Sequence, residues 1–373
     1  MITPRRHISQ PLASLQLIAI VAIVGTHFWL DGAAHLQAVC VTFCFLYSGY
    51  FTAASHHADG NGGLQGHLRY LRYKLAKFYP IHVLALLLCA FNAYLHWGSH
   101  MLLSKVMLAH LTLLSSWIPT PSYYFGINPV AWFLCDLFFL YLISPLIIRA
   151  LRSVSLACQV VVLILFIGVE MLAGYAHDPA SPSLLLPFPA HYYLYEFPLV
   201  RILDFMTGIV LYHASRASWW RVAASRLSAR RSTIVEVGGV VSFLILYKVG
   251  ETQLHPHWYR AYCSAAPAAV ALLAAFVFTR DKCGALSRLL SWRGLVMLSG
   301  VGTEIYLLQL GVFALVGYGV AGLGLPVRGV AYFAIQSLAL LVASLLAHRL
   351  WTMPMYRLLK PRDSQSRGGE KKR

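Results

Sequence analysis

His27 lies near the end of the apolar run 12–30, which contains no other titratable side chain; the next is Asp31. An ionisable group in such a run is costly to bury in hydrocarbon. It marks either a functional site or a hydrogen bond to a neighbouring helix. An imidazole there suits two chemical roles, taking a proton from a hydroxyl or carrying a transferred group. Three further places set polar groups in apolar surroundings. The pair Ser48-Gly49, in FCFLYSGYF, fits a close helix contact or the wall of a ligand tunnel. The segment HLRYLRYKLAKFYP carries Arg69, Arg72, Lys74 and Lys77. On a short helix Arg69, Arg72 and Lys77 share a broad face with Lys74 at its edge. This cluster reads either as a topological marker or as a site for phosphates, which Arg and Lys bind through charge-assisted hydrogen bonds. In PVAWFLCDLFFLYLISP, Trp132 and Asp136 are four apart and share one helix face. A lone intramembrane carboxylate is either functional or bonded to a neighbouring Arg.

The elements that must position these groups follow from composition. Hydrophobic residues make up 58% and charged residues 12% of the 373 residues, with a mean hydropathy of +0.64. That is too little charge to coat a soluble globule, so the expected fold is an all-α, polytopic membrane helix bundle. Spans of about 20 residues are expected at 12–30, 36–54, 79–97, 130–148, 154–174, 193–213, 233–249, 261–279, 295–317 and 329–350. The stretch 101–117, with Lys105 and His110, reads as interfacial or re-entrant. With both termini in the cytoplasm, all but five of the 30 Lys and Arg fall on the inner side. The exceptions are Lys105, Lys248, Arg260, Arg328 and Arg201, the last within a span. The net charge of +17 therefore reflects topology and anionic lipid headgroups, with no nucleic-acid partner required. The seven cysteines stand at no metal-ligand or redox spacing, and no metal site is expected. The chain divides into a cytoplasmic N-terminus 1–11, a transmembrane domain 12–350 and a basic, disordered cytoplasmic tail 351–373.

The order of these features resembles the acyltransferase 3 family of integral membrane O-acyltransferases, over residues 12–350. The matching motifs are His27, Ser48-Gly49-Tyr50, Lys74 and Lys77 before Tyr79-Pro80, Trp132-Phe133-Leu134 with Asp136, and Pro198-Leu199-Val200-Arg201 through Asp204 to Gly208. Two positions depart from the family: Gln16 stands where an Arg is usual, and Gln309 where a His is usual. The resemblance implies transfer of an acetyl group from cytoplasmic acetyl-CoA, bound only as a donor. The acceptor it implies is a sugar hydroxyl of a polysaccharide or lipid-linked oligosaccharide, of exopolysaccharide or O-antigen type. It also implies a bacterial inner (cytoplasmic) membrane location. Within that frame His27 and Asp136 are catalytic, with Asp136 fixing the His27 tautomer. Gln16, Ser48, Gly49, Arg69, Arg72, Lys74 and Lys77 hold the donor, and Trp132, Arg201 and Asp204 hold the acceptor. The competing class is a transporter or flippase, which needs the same buried charges; no two-halves repeat is present.

Overall fold

A chain this apolar must close its backbone hydrogen bonds within each segment, and it does so almost entirely as helices. The structure, a computed structural model, describes residues 10–28, 34–58, 63–97, 104–176, 182–183, 186–189, 192–253, 265–324 and 329–361. In chain order the helices are α1 Gln10–Phe28, α2 Ala34–Ala58, α3 Gly63–Trp97, α4 Lys105–Leu111, α5 Pro121–Tyr124, α6 Trp132–Arg152 and α7 Leu156–Ala176. There follow α8 Arg201–Arg216, α9 Ser218–Ser225, α10 Ala229–Gln253, α11 Ala265–Phe278 and α12 Ala285–Leu290. Last come α13 Arg293–Ser299, α14 Gly302–Gly322, α15 Gly329–Ala347 and α16 Met353–Leu359. A two-stranded antiparallel pair, Pro182–Ser183 with Leu186–Pro189, precedes a π-helical turn at Tyr192–Glu196.

The expectation of ten spans resolves, among the described residues, to seven helical stretches long and apolar enough to cross a membrane. Shorter apolar stretches occur at Leu156–Val169 and Ala265–Phe278. These fit a multi-pass membrane protein. The span expected at 193–213 is not one continuous helix. Pro198 lacks the N–H that a helix interior needs, so the chain turns between the π-helical turn and α8, which then opens on Arg201 and Asp204. The basic segment 69–77 is no loop: α3 runs through it and through Pro80 for 35 residues. The tail expected from 351 is helical to Leu359, because the Trp351 indole Nε1 donates to the Pro80 carbonyl at 2.8 Å and pins the chain there. Residues 362–373 and 1–9 lie outside the described residues. The stretch read as interfacial or re-entrant holds the seven-residue α4, too short to span. It is tied inward by His82 Nε2 donating to the His110 carbonyl and His110 Nε2 donating to the Tyr123 carbonyl, each at 2.9 Å.

The core is organised by α2, which packs against α1, α8 and α11, while α14 packs against α1, α3 and α15. The α2–α8 crossing is the tightest. A methyl group on Gly49 would collide with the Phe205 carbonyl, and one on Gly208 with the Leu46 carbonyl, so each backbone sits in the groove the other glycine leaves. We expect Gly49→Ala and Gly208→Ala each to cost about 1–3 kcal/mol, read as a lower unfolding midpoint of the purified protein. Gly238→Ala, which meets open space, should be neutral or slightly stabilising, since Ala favours helix over Gly.

Candidate active site

Two cavities meet inside the bundle. The first, of about 320 Å³, is lined by Gln16 of α1, Ser48 of α2, Lys74 and Lys77 of α3, and Tyr141 of α6. The second, of about 430 Å³, is lined by His27 of α1, Gln37 of α2, Trp132 of α6, and Tyr195 and Glu196 of the π-helical turn. Ile23 and Tyr306 line both, so the two spaces are separated by little more than these side chains. Gln16 and His27 sit eleven residues apart on one helix, about 16 Å at ~1.5 Å per residue. Both volumes lie within or near the ~300–1,000 Å³ range of small-molecule sites.

At the end of α1, His27 Nδ1 lies 2.9 Å from Gln309 Oε1. Gln309 also donates from Nε2 to the Tyr306 carbonyl at 2.7 Å. That second bond fixes which end of the amide faces His27: a nitrogen committed as donor leaves an oxygen that only accepts. The neutral imidazole therefore carries its proton on Nδ1 and keeps the Nε2 lone pair. No protein hydrogen bond to Nε2 occurs among the described residues. Helix α14, which carries both Tyr306 and Gln309, is held in turn by side-chain amides. Asn128 donates to the Leu307 carbonyl at 3.2 Å and Asn92 to the Gly311 carbonyl at 3.0 Å.

In the first cavity Lys74 is held by ring faces. Its ammonium lies 4.3 Å from the Tyr141 centroid, 5.2 Å from Tyr70 and 5.9 Å from Phe78. Among the described residues no carboxylate forms an ion pair with it. Ring quadrupoles steady an ammonium group through their negative faces, and Lys74 lines the cavity. Lys77, exposed, lies 4.9 Å from the Phe78 ring and lines the same space.

Behind the second cavity, Arg201 is buried with Nη1 2.6 Å from Asp204 Oδ2 and Nε donating to the Tyr195 carbonyl at 2.6 Å. Its guanidinium lies over the Tyr195 ring at 4.4 Å and the Phe45 ring at 5.6 Å. Thr42 donates to the same Asp204 oxygen at 3.3 Å. Asp136 and Glu196 are electrostatic neighbours of this guanidinium, and Asp136 also lies beside Ser116. Three carboxyl groups thus surround one cation in a water-poor interior.

Among the residues singled out from sequence, Gln16, Ser48, Lys74 and Lys77 come together around the first cavity, and His27 and Trp132 around the second. Arg69 and Arg72 are exposed on α3 and line neither. Gly49 serves the α2–α8 crossing instead of a cavity wall. Arg201 and Asp204 hold each other and the Tyr195 turn from behind the wall. The expectation that Asp136 fixes the His27 tautomer is corrected: Gln309 takes the Nδ1 position, and Asp136 belongs to the Arg201 cluster. Two wall residues were missed. Tyr306 stood in plain view beside the noted Gln309. Glu196 is an acid enclosed by Tyr195 and Phe197 two residues before Pro198, and that apolar enclosure was the available signal.

No protein-family model matches the chain, and no solved structure matches it. Acyltransferase MdmB of Streptomyces mycarofaciens is 26% identical over 298 residues, covering 73% of this chain and 71% of that protein. A likeness of that extent supports an acyltransferase enzyme. Replacing Gln309 by Leu removes the acceptor that selects the His27 tautomer. We expect it to lower acyl transfer on the order of ten- to a hundredfold at unchanged protein level in the membrane, measured as turnover per mole of enzyme.

Proposed function

We propose that this protein is a bacterial inner-membrane O-acetyltransferase that moves an acetyl group from cytoplasmic acetyl-CoA to a sugar hydroxyl of an extracytoplasmic or lipid-linked glycan. The observation that carries the reading is the placement of His27, whose Nδ1 is held by Gln309, in a cavity that adjoins a second, lysine-lined one. In this reading the donor phosphates lie at Lys74 and Lys77, and the pantetheine arm extends along the first cavity toward Ile23 and Tyr306. The acceptor hydroxyl enters from the second cavity. As the hydroxyl oxygen attacks the thioester carbonyl carbon, its proton passes to His27 Nε2. The C–S bond then breaks, the acetyl group stays on the sugar oxygen, and the CoA thiolate takes a proton, returning the imidazole to neutrality. Gln309 holds the imidazolium through Nδ1 without itself titrating. The Lys cluster at the membrane boundary fits a chain whose termini are cytoplasmic.

The direct test is His27→Ala in membranes supplied with labelled acetyl-CoA and the glycan of the host. We expect glycan-bound acetate to vanish while the protein remains in the membrane at normal level. Unchanged acetate would remove His27 from the chemistry.

Donor recognition is tested separately. Lys74→Gln with Lys77→Gln should raise the apparent KM for acetyl-CoA on the order of tenfold and leave kcat nearly constant. Phosphate contacts made equally in ground and transition states affect binding alone.

Orientation has its own measurement. A cysteine at Lys105 should react with an impermeant maleimide in intact cells, and one at Ser225 should not. The reverse pattern would put the glycan on the cytoplasmic side.

A further inference from the structure

The second cavity has a wall that the transfer step does not use. Glu196 is buried, at 3% exposure, yet it lines the cavity, and its Oε2 has no hydrogen-bond partner among the described residues. A buried carboxyl oxygen left without a donor is expensive, and such groups are retained where a ligand completes them. Around it the wall is built rigidly. Trp132 packs on Tyr195 at 5.1 Å between centroids, and Tyr195 is clamped from behind by Arg201 at 4.4 Å. Gln37 supplies an amide to the same space. An aromatic face beside a carboxyl and an amide matches a ring with one apolar face and several hydroxyl donors at its edge. Charge completes the picture. No Lys or Arg is among the described residues lining this cavity, and Arg201 behind the wall is engaged by Asp204 and the Tyr195 carbonyl, so an anionic group entering it sheds water without gaining a counter-charge, a cost a neutral ring does not carry.

We infer that Glu196, with Trp132 and Tyr195, forms the subsite that holds the acceptor and restricts it to uncharged sugar residues, excluding uronate and other anionic ones. This rests on the acyl-transfer reading for the word acceptor, but its binding test does not require transfer to occur.

The measurement uses the full chain in nanodiscs with a cysteine placed at Gln37 in the cavity wall. Three probes are compared for protection of that cysteine from a small thiosulfonate reagent: octyl β-D-glucopyranoside, its 2-amino-2-deoxy analogue, and octyl β-D-glucopyranosiduronate. Labelling is read at that peptide by mass spectrometry. The neutral glycoside should protect at concentrations about tenfold or more below the uronate, and the ammonium-bearing analogue should protect no less well than the neutral one. Glu196→Gln should shrink the neutral-over-uronate preference to about threefold or less while leaving CoA affinity as in the parent. Equal protection by all three probes, protection by none, or an unchanged preference in Glu196→Gln would overturn the inference. The charge series on the parent protein decides the matter even where Glu196→Gln does not fold. Selective protection without any acetyl transfer from acetyl-CoA would leave the subsite standing and remove the transfer reading. Transfer to the host glycan with no protection would do the opposite.

Discussion

The backbone contact between α2 and α8 is the constraint on which the rest of the interior depends. Only because Gly49 and Gly208 lack side chains can the two helices touch through their carbonyl-bearing surfaces. That approach lets Thr42 of α2 reach Asp204 of α8 and sets Phe45 beneath the Arg201 guanidinium. Arg201 in turn holds the Tyr195 carbonyl and ring, so the wall of the second cavity is positioned by a contact several residues away from it. Helices in a bilayer gain little from apolar burial against one another, since lipid is as apolar as leucine. Close backbone packing and a buried ion pair are the forces left to specify one arrangement. The pair is weak evidence for stability, because desolvating both charges offsets most of their attraction. Its contribution here is to geometry.

A second chain of dependence runs through α14. Asn92 and Asn128 donate to its carbonyls, Tyr306 forms part of the partition between the cavities, and Gln309 sets the proton position on His27. A neutral amide in this role differs from a carboxylate in one respect: it orients the ring without adding a charge beside it. Carboxyl groups of this region, Asp136, Glu196 and Asp204, are gathered instead around Arg201.

Much of this was legible in the residues. The rarity of polar groups in apolar runs pointed to His27, Ser48, Lys74, Lys77 and Trp132, and the fold brings these to two adjoining spaces. Periodicity alone did not separate Lys74 and Lys77 from Arg69 and Arg72. All four lie on one helix, and which of its faces looks inward is decided by the contacts of a 35-residue α3 that continues through Pro80. The partner of His27 was beyond reach for a different reason. Gln309 lies 282 residues along the chain, and no local pattern links two spans that far apart, whereas Asp136 was attractive only because it was charged. The span expected at 193–213 is interrupted where Pro198 breaks the helix and α8 opens on charge, at Arg201 and Asp204. Hydropathy registers apolar length, and it is blind to polar groups that pay their own cost through mutual bonding.

The thin partition at Ile23 and Tyr306 has an electrical consequence. A membrane potential falls mainly across the least polarisable part of its path, and two cavities placed back to back, one lined by Lys74 and Lys77 and the other by His27 and Glu196, shorten that part to roughly one layer of side chains. Moving one elementary charge through the full potential involves about 2.3 kcal/mol per 100 mV. With most of that drop compressed onto the septum, a neutral group crosses it without electrical work, whereas an anion or a bare proton does not. The septum is therefore a filter for charge as well as for size.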